Sequence, residues 1–443
     1  MPACVRDLSA DAKALPVERS FSVARNCSLQ PYKKIKVPAF DVTEDIIAFA
    51  SPDSTYAVTK RLLEAATSTI LIGIYDFTAP HMKTLLLGAM SRGVKVTLML
   101  DVEPGVEQNM FTDLMAMGLD GVVAPACSSP KVLARYFSSC HEKFIIIDGS
   151  WTIVQSGNYS SNSIPLNEKD GGDPLHFVKG NRDSGLAVKS KPMASFFTKL
   201  LRSDIALQLK APLSKAAQEP LAAPALWVEA APKLNPKTLF PSKRFKLGSA
   251  LNIQPVLSPD NYMSTMPAVL QSAKRSILIE QQYIRASQPN VALLLAAIRQ
   301  AIDKNPALDV RIVLGKIFDI SDLPQEQQNI KLLKDKFGLE LGRNIRYIDT
   351  TRFVHCHNKM IVVDGSTVLV SSQNWSDSAV TKNREAGLLL THTGIARYFT
   401  GIFENDWETA FQKIPVPGKA QIASKALRAG GFVQVVPADY REV

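Results

Sequence analysis

The sequence predicts an α/β protein made of two similar α-β-α sandwich domains related by a pseudo-two-fold axis. Three observations predict this fold class. The chain has 443 residues, enough for two hydrophobic cores. Short apolar strands alternate with helices of about 10 to 15 residues, which is typical of layered α/β domains. The whole pattern then occurs a second time, so the domain is duplicated.

Each copy begins with the tripeptide Ser-Pro-Asp, at 51–53 and again at 258–260. After it, apolar periodicity predicts a strand, an amphipathic helix and a second strand in the same order. Helices on both faces of each sheet follow from this alternation. The predicted elements are strands over 69–75 and 94–100 around a helix over 82–91, and strands over 276–281 and 310–314 around a helix over 291–304.

Proline marks the connection between the two copies. Seven prolines lie between residues 211 and 255, and proline interrupts regular helices and strands. A linker is therefore predicted there. The full division is an N-terminal arm over 1–40, a first domain over 41–210, the linker over 211–255, a second domain over 256–417 and a C-terminal tail over 418–443.

Composition excludes several classes of protein. With 46% hydrophobic and 21% charged residues the chain is not disordered, and its apolar runs fall far short of the roughly 20 residues of a membrane-spanning helix. The net charge of +10 attracts polyanions such as nucleic acid or acidic lipid headgroups, and is equally typical of a basic soluble surface. The five cysteines are an odd number, so at least one thiol has no partner within the chain.

The first residues carry no apolar leader. The expected location is therefore the cytoplasm, or the periplasm or exterior if a signal peptide has been removed. The sequence does not separate these alternatives.

The same polar residues recur in both copies at the same spacing. A histidine is followed by a lysine, an aspartate, a serine and an asparagine, and further along by an Asn-Arg pair and a carboxylate. The sets are His141, Lys143, Asp148, Ser156, Asn158 and Asp183 in the first copy, and His357, Lys359, Asp364, Ser372, Asn374 and Glu385 in the second.

This duplicated HxKxxxxD pattern with its downstream Ser-x-Asn resembles the phospholipase D superfamily, over about residues 41–412. The resemblance implies two phospholipase D-like domains and a phosphodiesterase of lipid metabolism, a hydrolase or phosphatidyltransferase. It also implies a metal-independent reaction without a cofactor, through a phosphohistidine intermediate. At the position where the family usually has glycine before the serine, this chain has Gln155 and Ser371, a departure expected to narrow the turn behind the phosphate site.

Roles for individual residues follow from the resemblance. His141, in the N-terminal motif, is expected to be the nucleophile and His357 the acid, although the near-symmetry of the copies leaves the reverse order open. Asp183 and Glu385 are expected to orient the histidines. The resemblance makes Asp148 and Asp364 mostly structural.

The physical chemistry of these residues leads to the same site. Side chains two apart on a strand share a face, so the His and Lys of each motif should converge. The apolar runs over 144–147 and 360–363 predict buried strands that hold them. Two imidazoles and two ammonium groups in one interdomain cleft suit a phosphodiester. Its oxygens would be bound by Lys143 and Lys359, by the hydroxyls of Ser156 and Ser372, and by Asn158 and Asn374.

Other interpretations of these residues are weaker. A metal site at His355, Cys356 and His357 is disfavoured because the first copy offers only Cys140 and His141. An inactive binding module is disfavoured because every motif residue is intact in both copies. The remaining histidines are expected to be structural or on the surface, although His176 could line the cleft: His81, His176 and His392.

The substrate is left open between a phospholipid and a nucleic acid. Nucleases of similar motif style commonly carry one motif per chain and dimerise, whereas this chain holds both copies. That difference favours a monomeric phospholipase D-type enzyme. Peripheral contact with a membrane is left open. The positive charge suits nucleic acid equally well.

Overall fold

The computed structural model describes residues 27–102, 106–129, 134–209 and 239–415. Most of the predicted arm, most of the predicted linker and nearly all of the predicted tail lie outside these ranges. Among the described residues, no helix has both the length and the apolar character needed to cross a membrane.

The first half of the chain contains eight strands and five α-helices within the described residues. They are β1 (Phe40–Val42), β2 (Ile46–Ser51), α1 (Thr55–Glu64), β3 (Thr69–Ile74), α2 (Pro80–Ser91), β4 (Lys95–Leu100), α3 (Val106–Ala116), β5 (Asp120–Val123), β6 (Lys143–Ile147), β7 (Trp151–Gln155), α4 (Pro174–Val178), β8 (Asp183–Lys189) and α5 (Lys191–Leu209).

The second half repeats this order. Its elements are β9 (Lys243–Phe245), β10 (Leu251–Ser258), α6 (Tyr262–Gln271), β11 (Ser276–Gln281), α7 (Pro289–Lys304), β12 (Asp309–Leu314), α8 (Leu323–Phe337), β13 (Ile345–Tyr347), β14 (Lys359–Val363), β15 (Thr367–Ser371), α9 (Asp377–Thr381), β16 (Glu385–Thr391) and α10 (Thr393–Thr409).

Local sequence explains where the principal helices begin and end. Helices α2 and α7 both start at a proline, whose fixed φ suits the first helical position and whose missing N–H would have no helical partner. Helix α8 ends at Gly338, which adopts φ +71° in the left-handed region. The predicted strand and helix in each copy therefore form where the apolar periodicity places them.

The two eight-stranded sheets have the same strand order. One runs β5-β4-β3-β6-β7-β8-β2-β9, and the other runs β13-β12-β11-β14-β15-β16-β10-β1. In both, the strands joined by α2 or α7 are parallel, as a helical crossover requires, and the central strands are antiparallel. This architecture is the duplicated α/β fold that the sequence predicts.

The outermost strands are exchanged between the halves. Strand β1 precedes the first sheet in the chain but pairs with β10 of the second sheet, where Phe40 lies opposite Ile253. Strand β9 likewise pairs with β2 of the first sheet, where Phe245 lies opposite Ile46. Each half therefore completes the sheet of the other.

Regular structure extends into the segment predicted as a linker, since β9 and the start of β10 lie within 211–255. Pro255 is compatible with this because it lies beyond the part of β10 that β1 covers, where the strand has an open edge.

The hydrophobic core has three parts. One cluster lies in the outer layer of the first half and includes Leu86 of α2, and another lies in the outer layer of the second half and includes Leu295 of α7. The third is shared by both halves and joins Phe197 of α5 to Phe399 of α10. Burial of this shared core fixes the two sheets relative to one another.

The cysteines fall into two groups. Cys27 forms a disulfide with Cys127, which ties the first described residues to the first domain. Cys140 and Cys356 are buried thiols. Cys4 lies outside the described residues.

Candidate active site

The two motif histidines are held by backbone contacts between the halves. The amide of His141 donates to the carbonyl of Arg384 at 2.8 Å, and the amide of His357 donates to the carbonyl of Arg182 at 3.0 Å. Strands β6 and β14 begin two residues later, at Lys143 and Lys359. The structure therefore brings both His-Lys pairs to the boundary between the two sheets.

Each histidine is oriented by a carboxylate from the opposite half. Nδ1 of His141 lies 3.0 and 2.9 Å from the two carboxylate oxygens of Glu385. Nδ1 of His357 lies 3.0 Å from Oδ1 of Asp183. These reciprocal contacts are what a pseudo-two-fold arrangement produces. With Nδ1–H donated to a carboxylate, Nε2 of each ring is left for other chemistry.

The motif serines differ from the sequence prediction. Ser156 donates its hydroxyl proton to Asp183 at 2.8 Å, and Ser372 donates to Glu385 at 2.5 Å. Each hydroxyl oxygen also accepts a backbone N–H, from Ser184 or Ala386. Since a hydroxyl has one proton, neither serine has a donor left for a phosphate oxygen in this structure. The two serines instead hydrogen-bond to the carboxylates that orient the histidines.

The motif lysines are fully buried and their ammonium groups lie close to the histidines. Nζ of Lys143 donates to the carbonyl of His141 at 2.5 Å, and Nζ of Lys359 donates to that of His357 at 2.5 Å. Burial lowers the pKa of Lys143 to about 7 and that of Lys359 to about 8. An incoming phosphate would stabilise both ammonium groups.

The motif asparagines, Asn158 and Asn374, are also buried. The side-chain oxygen Oδ1 of each has no hydrogen-bond partner among the described residues.

Charge in the site is unevenly distributed between the two pairs. Burial lowers the pKa of His357 to about 4, and burial together with both lysines holds that of His141 well below its usual value. Burial raises the pKa of Glu385 to about 8. Burial would raise that of Asp183 too, but His357 and Lys359 outweigh it and hold the value below normal. Glu385 therefore holds a proton more tightly than Asp183 does.

Sequence reasoning missed two residues that line the site beside the lysines. The ring of Tyr75 lies 4.9 Å from that of His141 and 5.2 Å from Nζ of Lys143. Its counterpart after β11 is Gln282, whose Oε1 lies 3.4 Å from Nζ of Lys359. Tyr75 follows β3 and Gln282 follows the equivalent strand β11, so the duplication itself was a signal that could have identified them.

A second missed feature is a buried carboxyl group beside each motif. In the second half Asn358, between His357 and Lys359, donates to Glu280 at 2.7 Å and accepts from Ser184 at 2.6 Å. In the first half the carboxyl belongs to Glu142, and both of its oxygens lack a hydrogen-bond partner among the described residues. Burial raises the pKa of Glu142 well above its usual value.

Two buried arginines join the halves around the site. Nε of Arg182 lies 2.6 Å from Asp406 of α10, and Nε of Arg384 lies 2.8 Å from Asp204 of α5. These residues immediately precede Asp183 and Glu385. The ion pairs therefore fix the backbone that carries the orienting carboxylates.

Asp148 and Asp364, the last motif residues, lie away from the histidines. Asp148 accepts backbone N–H groups from 67–69, and Asp364 accepts those from 274–276. Both adopt positive φ, at 49° and 53°. Asp148 joins the turn before β3 to the hairpin after β6, and Asp364 joins the turn before β11 to the hairpin after β14. Both aspartates therefore have structural positions.

Three of the other four histidines make local contacts with the backbone. Nε2 of His81 lies 2.7 Å from the carbonyl of Ile164, and Nε2 of His176 lies 2.8 Å from that of Ser161. His392 accepts the N–H of Ile395 at the start of α10. Within the described residues, no group of three or more His, Cys, Asp or Glu side chains has the arrangement of a metal site.

Comparisons with known proteins agree with this architecture. The family described as "Cardiolipin synthase, PLD-like domain" matches residues 59–204 and 266–407. The mitochondrial cardiolipin hydrolase of Xenopus laevis is 29% identical over 167 residues, which cover 35% of this chain and 71% of that protein.

A solved structure has a similar fold over most of both chains. The phosphatidylserine synthase of Haemophilus influenzae has a TM-score of 0.58 at 13% identity, over 85% of this chain and 90% of that one. Nuc of Salmonella typhimurium, a phospholipase D family member, has a TM-score of 0.31 at 18% identity, over 39% of this chain and 100% of its own. Because the family match covers more than half of the sequence and includes both motifs, this chain belongs to the cardiolipin synthase-type PLD-like family of the phospholipase D superfamily.

Proposed function

We propose that this protein is a phosphodiesterase of phospholipase D type, which hydrolyses the headgroup phosphodiester of a phospholipid or transfers the phosphatidyl group to an alcohol. The observation that carries the proposal is the crossed arrangement, in which His141 pairs with Glu385 and His357 pairs with Asp183. Two oriented imidazoles beside two buried ammonium groups suit a displacement at phosphorus in two steps.

In the first step, Nε2 of His141 attacks phosphorus and a P–N bond forms. The P–O bond to the headgroup alcohol breaks, and His357, which is protonated at Nε2 once the phosphodiester anion is bound, gives that proton to the departing oxygen. Lys143 and Lys359 neutralise the non-bridging oxygens, where negative charge accumulates. Asn158 and Asn374 add hydrogen bonds to the same oxygens.

In the second step, His357 takes a proton from water or from an acceptor alcohol, whose oxygen attacks phosphorus. The P–N bond breaks and His141 is released in its starting form. Water yields phosphatidic acid, whereas an alcohol yields a new phospholipid. Asp183 and Glu385 hold the ring orientations throughout, as the carboxylate does in a catalytic triad.

The names of the relatives support a lipid substrate. The family is named for cardiolipin synthase, one relative is a cardiolipin hydrolase, and the protein of similar fold over most of its length is a phosphatidylserine synthase. A monomer in peripheral contact with a membrane is the form we propose for this reaction, since one chain carries both His-Lys pairs.

A nucleic-acid phosphodiesterase is the second candidate, because the net charge of +10 favours polyanions. The test measures headgroup release from phospholipid vesicles beside nicking of plasmid and single-stranded DNA, with chelator present throughout. We expect lipid hydrolysis that persists in chelator and depends weakly on salt. Cleavage of DNA alone, falling steeply as salt rises, would instead support the nuclease.

Matched variants make this assay specific for the site. His141→Asn and His357→Asn should each abolish turnover of whichever substrate is cleaved, with the folded state checked by circular dichroism. His392→Asn, at the start of α10, is the control and should retain activity. Substantial turnover in either motif variant would overturn the shared site.

A further inference from the structure

The two halves also differ at the position that follows β4 in the first and β12 in the second. The residue after β4 is Asp101, and the residue after β12, at the same position in the repeat, is Gly315. Asp101 is saturated by hydrogen bonds from Ser128, Ser129, Ser139 and the amide of Cys140. In the first half, the side chain at this position is therefore fully hydrogen-bonded within the protein and has a structural role.

In the second half, the space of that carboxylate is filled by an imidazole. A Cβ atom added at Gly315 would lie 2.1 Å from Cε1 of His355, so only glycine leaves room for this ring. His355 is 1% exposed, and neither of its ring nitrogens has a hydrogen-bond partner among the described residues. A buried imidazole without a partner is unusual unless a ligand or ordered water completes it.

The neighbours of His355 are positively charged or aromatic. The imidazole of His355 lies 4.6 Å from the ring of Phe318. Nζ of Lys316 lies 5.7 Å from that phenyl ring. Burial, reinforced by Lys316, His357 and Lys359, holds the pKa of His355 well below its usual value. An anion bound here would lie near the ammonium group of Lys316 and would favour protonation of the His355 imidazole.

This cluster lies next to the reacting groups. His355 is two residues before His357, and its carbonyl accepts the N–H of Arg182, the residue before Asp183. Lys316 follows β12, at the same sheet edge where Lys359 starts β14. The cluster therefore flanks the imidazole that protonates the leaving alcohol in the proposed function.

We propose that His355 and Lys316, positioned by Phe318, form a subsite for an anionic group on the leaving or acceptor alcohol, a phosphate monoester in particular. The inference rests on the proposed function, with His141 as nucleophile. In-line displacement places the nucleophile and the leaving group on opposite sides of phosphorus. The alcohol then departs toward His357, where the cluster can hold its phosphate.

The experiment compares three lipids in mixed micelles: phosphatidylglycerol phosphate, phosphatidylglycerol and phosphatidylcholine. These differ in whether the leaving alcohol carries a phosphate, no charge or a positive charge. For the wild type we expect kcat/KM to be highest for phosphatidylglycerol phosphate, by roughly 10-fold or more, since hydrogen bonds to charged groups are the stronger ones. Equal values for all three lipids would overturn the subsite while leaving the proposed function standing. No hydrolysis of any lipid would overturn both.

Variants assign the preference to these residues. Lys316→Met, at a half-buried position, should reduce the ratio of kcat/KM for phosphatidylglycerol phosphate over phosphatidylglycerol by roughly 10-fold, through a higher KM for the phosphorylated lipid. Gly315→Ala should reduce the same ratio by displacing His355. Lys331→Met, an exposed lysine on α8, is the matched control and should leave the ratio unchanged. If Lys316→Met leaves this ratio unchanged, the proposal is overturned. It is also overturned if the variant loses activity only on an oligonucleotide, because Lys316 would then bind a neighbouring nucleic-acid phosphate.

Discussion

Glu385 of the second half accepts the hydrogen bond of His141 of the first half, with Nδ1 3.0 and 2.9 Å from its two carboxylate oxygens. The carboxylate also accepts from Ser372 at 2.5 Å and from Asn383 at 3.1 Å. These donors act against the burial that raises the pKa of Glu385 to about 8. While Glu385 is ionised, Nδ1 of His141 keeps its proton and Nε2 is left unprotonated. Neither half contains a complete His-carboxylate pair of its own.

Replacing this carboxylate should affect kcat more than KM. Glu385→Gln removes the charge that stabilises the imidazole, so we expect kcat to fall by roughly 10²- to 10⁴-fold. Glu385→Asp, which copies the residue at the equivalent position 183, should recover part of the loss. The control is Glu340→Gln at an exposed ion pair. A change in KM alone would contradict an orienting role.

The covalent intermediate should identify the nucleophile. With bis(p-nitrophenyl) phosphate the leaving group needs no acid, so His357→Asn should release a burst of nitrophenol and then stall. Peptide mapping should find the phosphoryl group on His141. His141→Asn should give no burst. A phosphorylated His357 in the His141→Asn variant would reverse the two roles.

The lysines should set the alkaline side of the pH profile. The lowered pKa values, about 7 for Lys143 and about 8 for Lys359, mean that the free enzyme loses these positive charges as the pH rises through that range. We expect kcat/KM to fall above about pH 8, mainly through KM, because bound phosphate restores the ammonium form. Lys359→Arg should move the fall to higher pH, since arginine stays protonated. The same alkaline limb in that variant would rule out Lys359 as its cause.

The buried Glu142 should make stability depend on pH. Its pKa is raised in the folded state, so the folded protein binds the proton more tightly than the unfolded chain. The contribution of Glu142 to stability is then greatest below about pH 4.3, the unfolded value, and falls as the pH rises. Glu142→Gln should therefore increase the free energy of unfolding at pH 8, by about 2 kcal/mol, and much less at pH 5.

Urea denaturation at the two pH values measures this difference. Glu408→Gln, on the exposed side of α10, is the control and should show no such dependence. An equal effect of Glu142→Gln at both pH values would show that the buried proton is not responsible.

The sequence predicted the repeated framework well because it depends on local patterns. Strand β11 spans the predicted residues, and β3 ends at Ile74, one residue before the predicted end. Strand β9 was not predicted, since three residues after a run of prolines carry no usable alternation. Its structure comes from pairing with β2, which is a tertiary contact.

The residues of the site were likewise easier to predict than the hydrogen bonds between them. The duplicated spacing selects His141, His357 and the residues that follow them. It does not show that Asp183 serves the histidine of the other half, because that depends on how the sheets pack. The hydroxyl of Ser156 was assigned to substrate for the same reason, although its proton goes to Asp183.

The matching strand order of the two sheets, carried on a single chain, has a consequence for how such a site can change. In a dimer of identical subunits, every substitution appears on both sides of the axis, so a gain on one side is imposed on the other. Covalent duplication removes that constraint. Aspartate can occupy position 101 on one side while glycine at position 315 admits the ring of His355 on the other, so that a pseudo-symmetric centre can distinguish the two ends of its substrate.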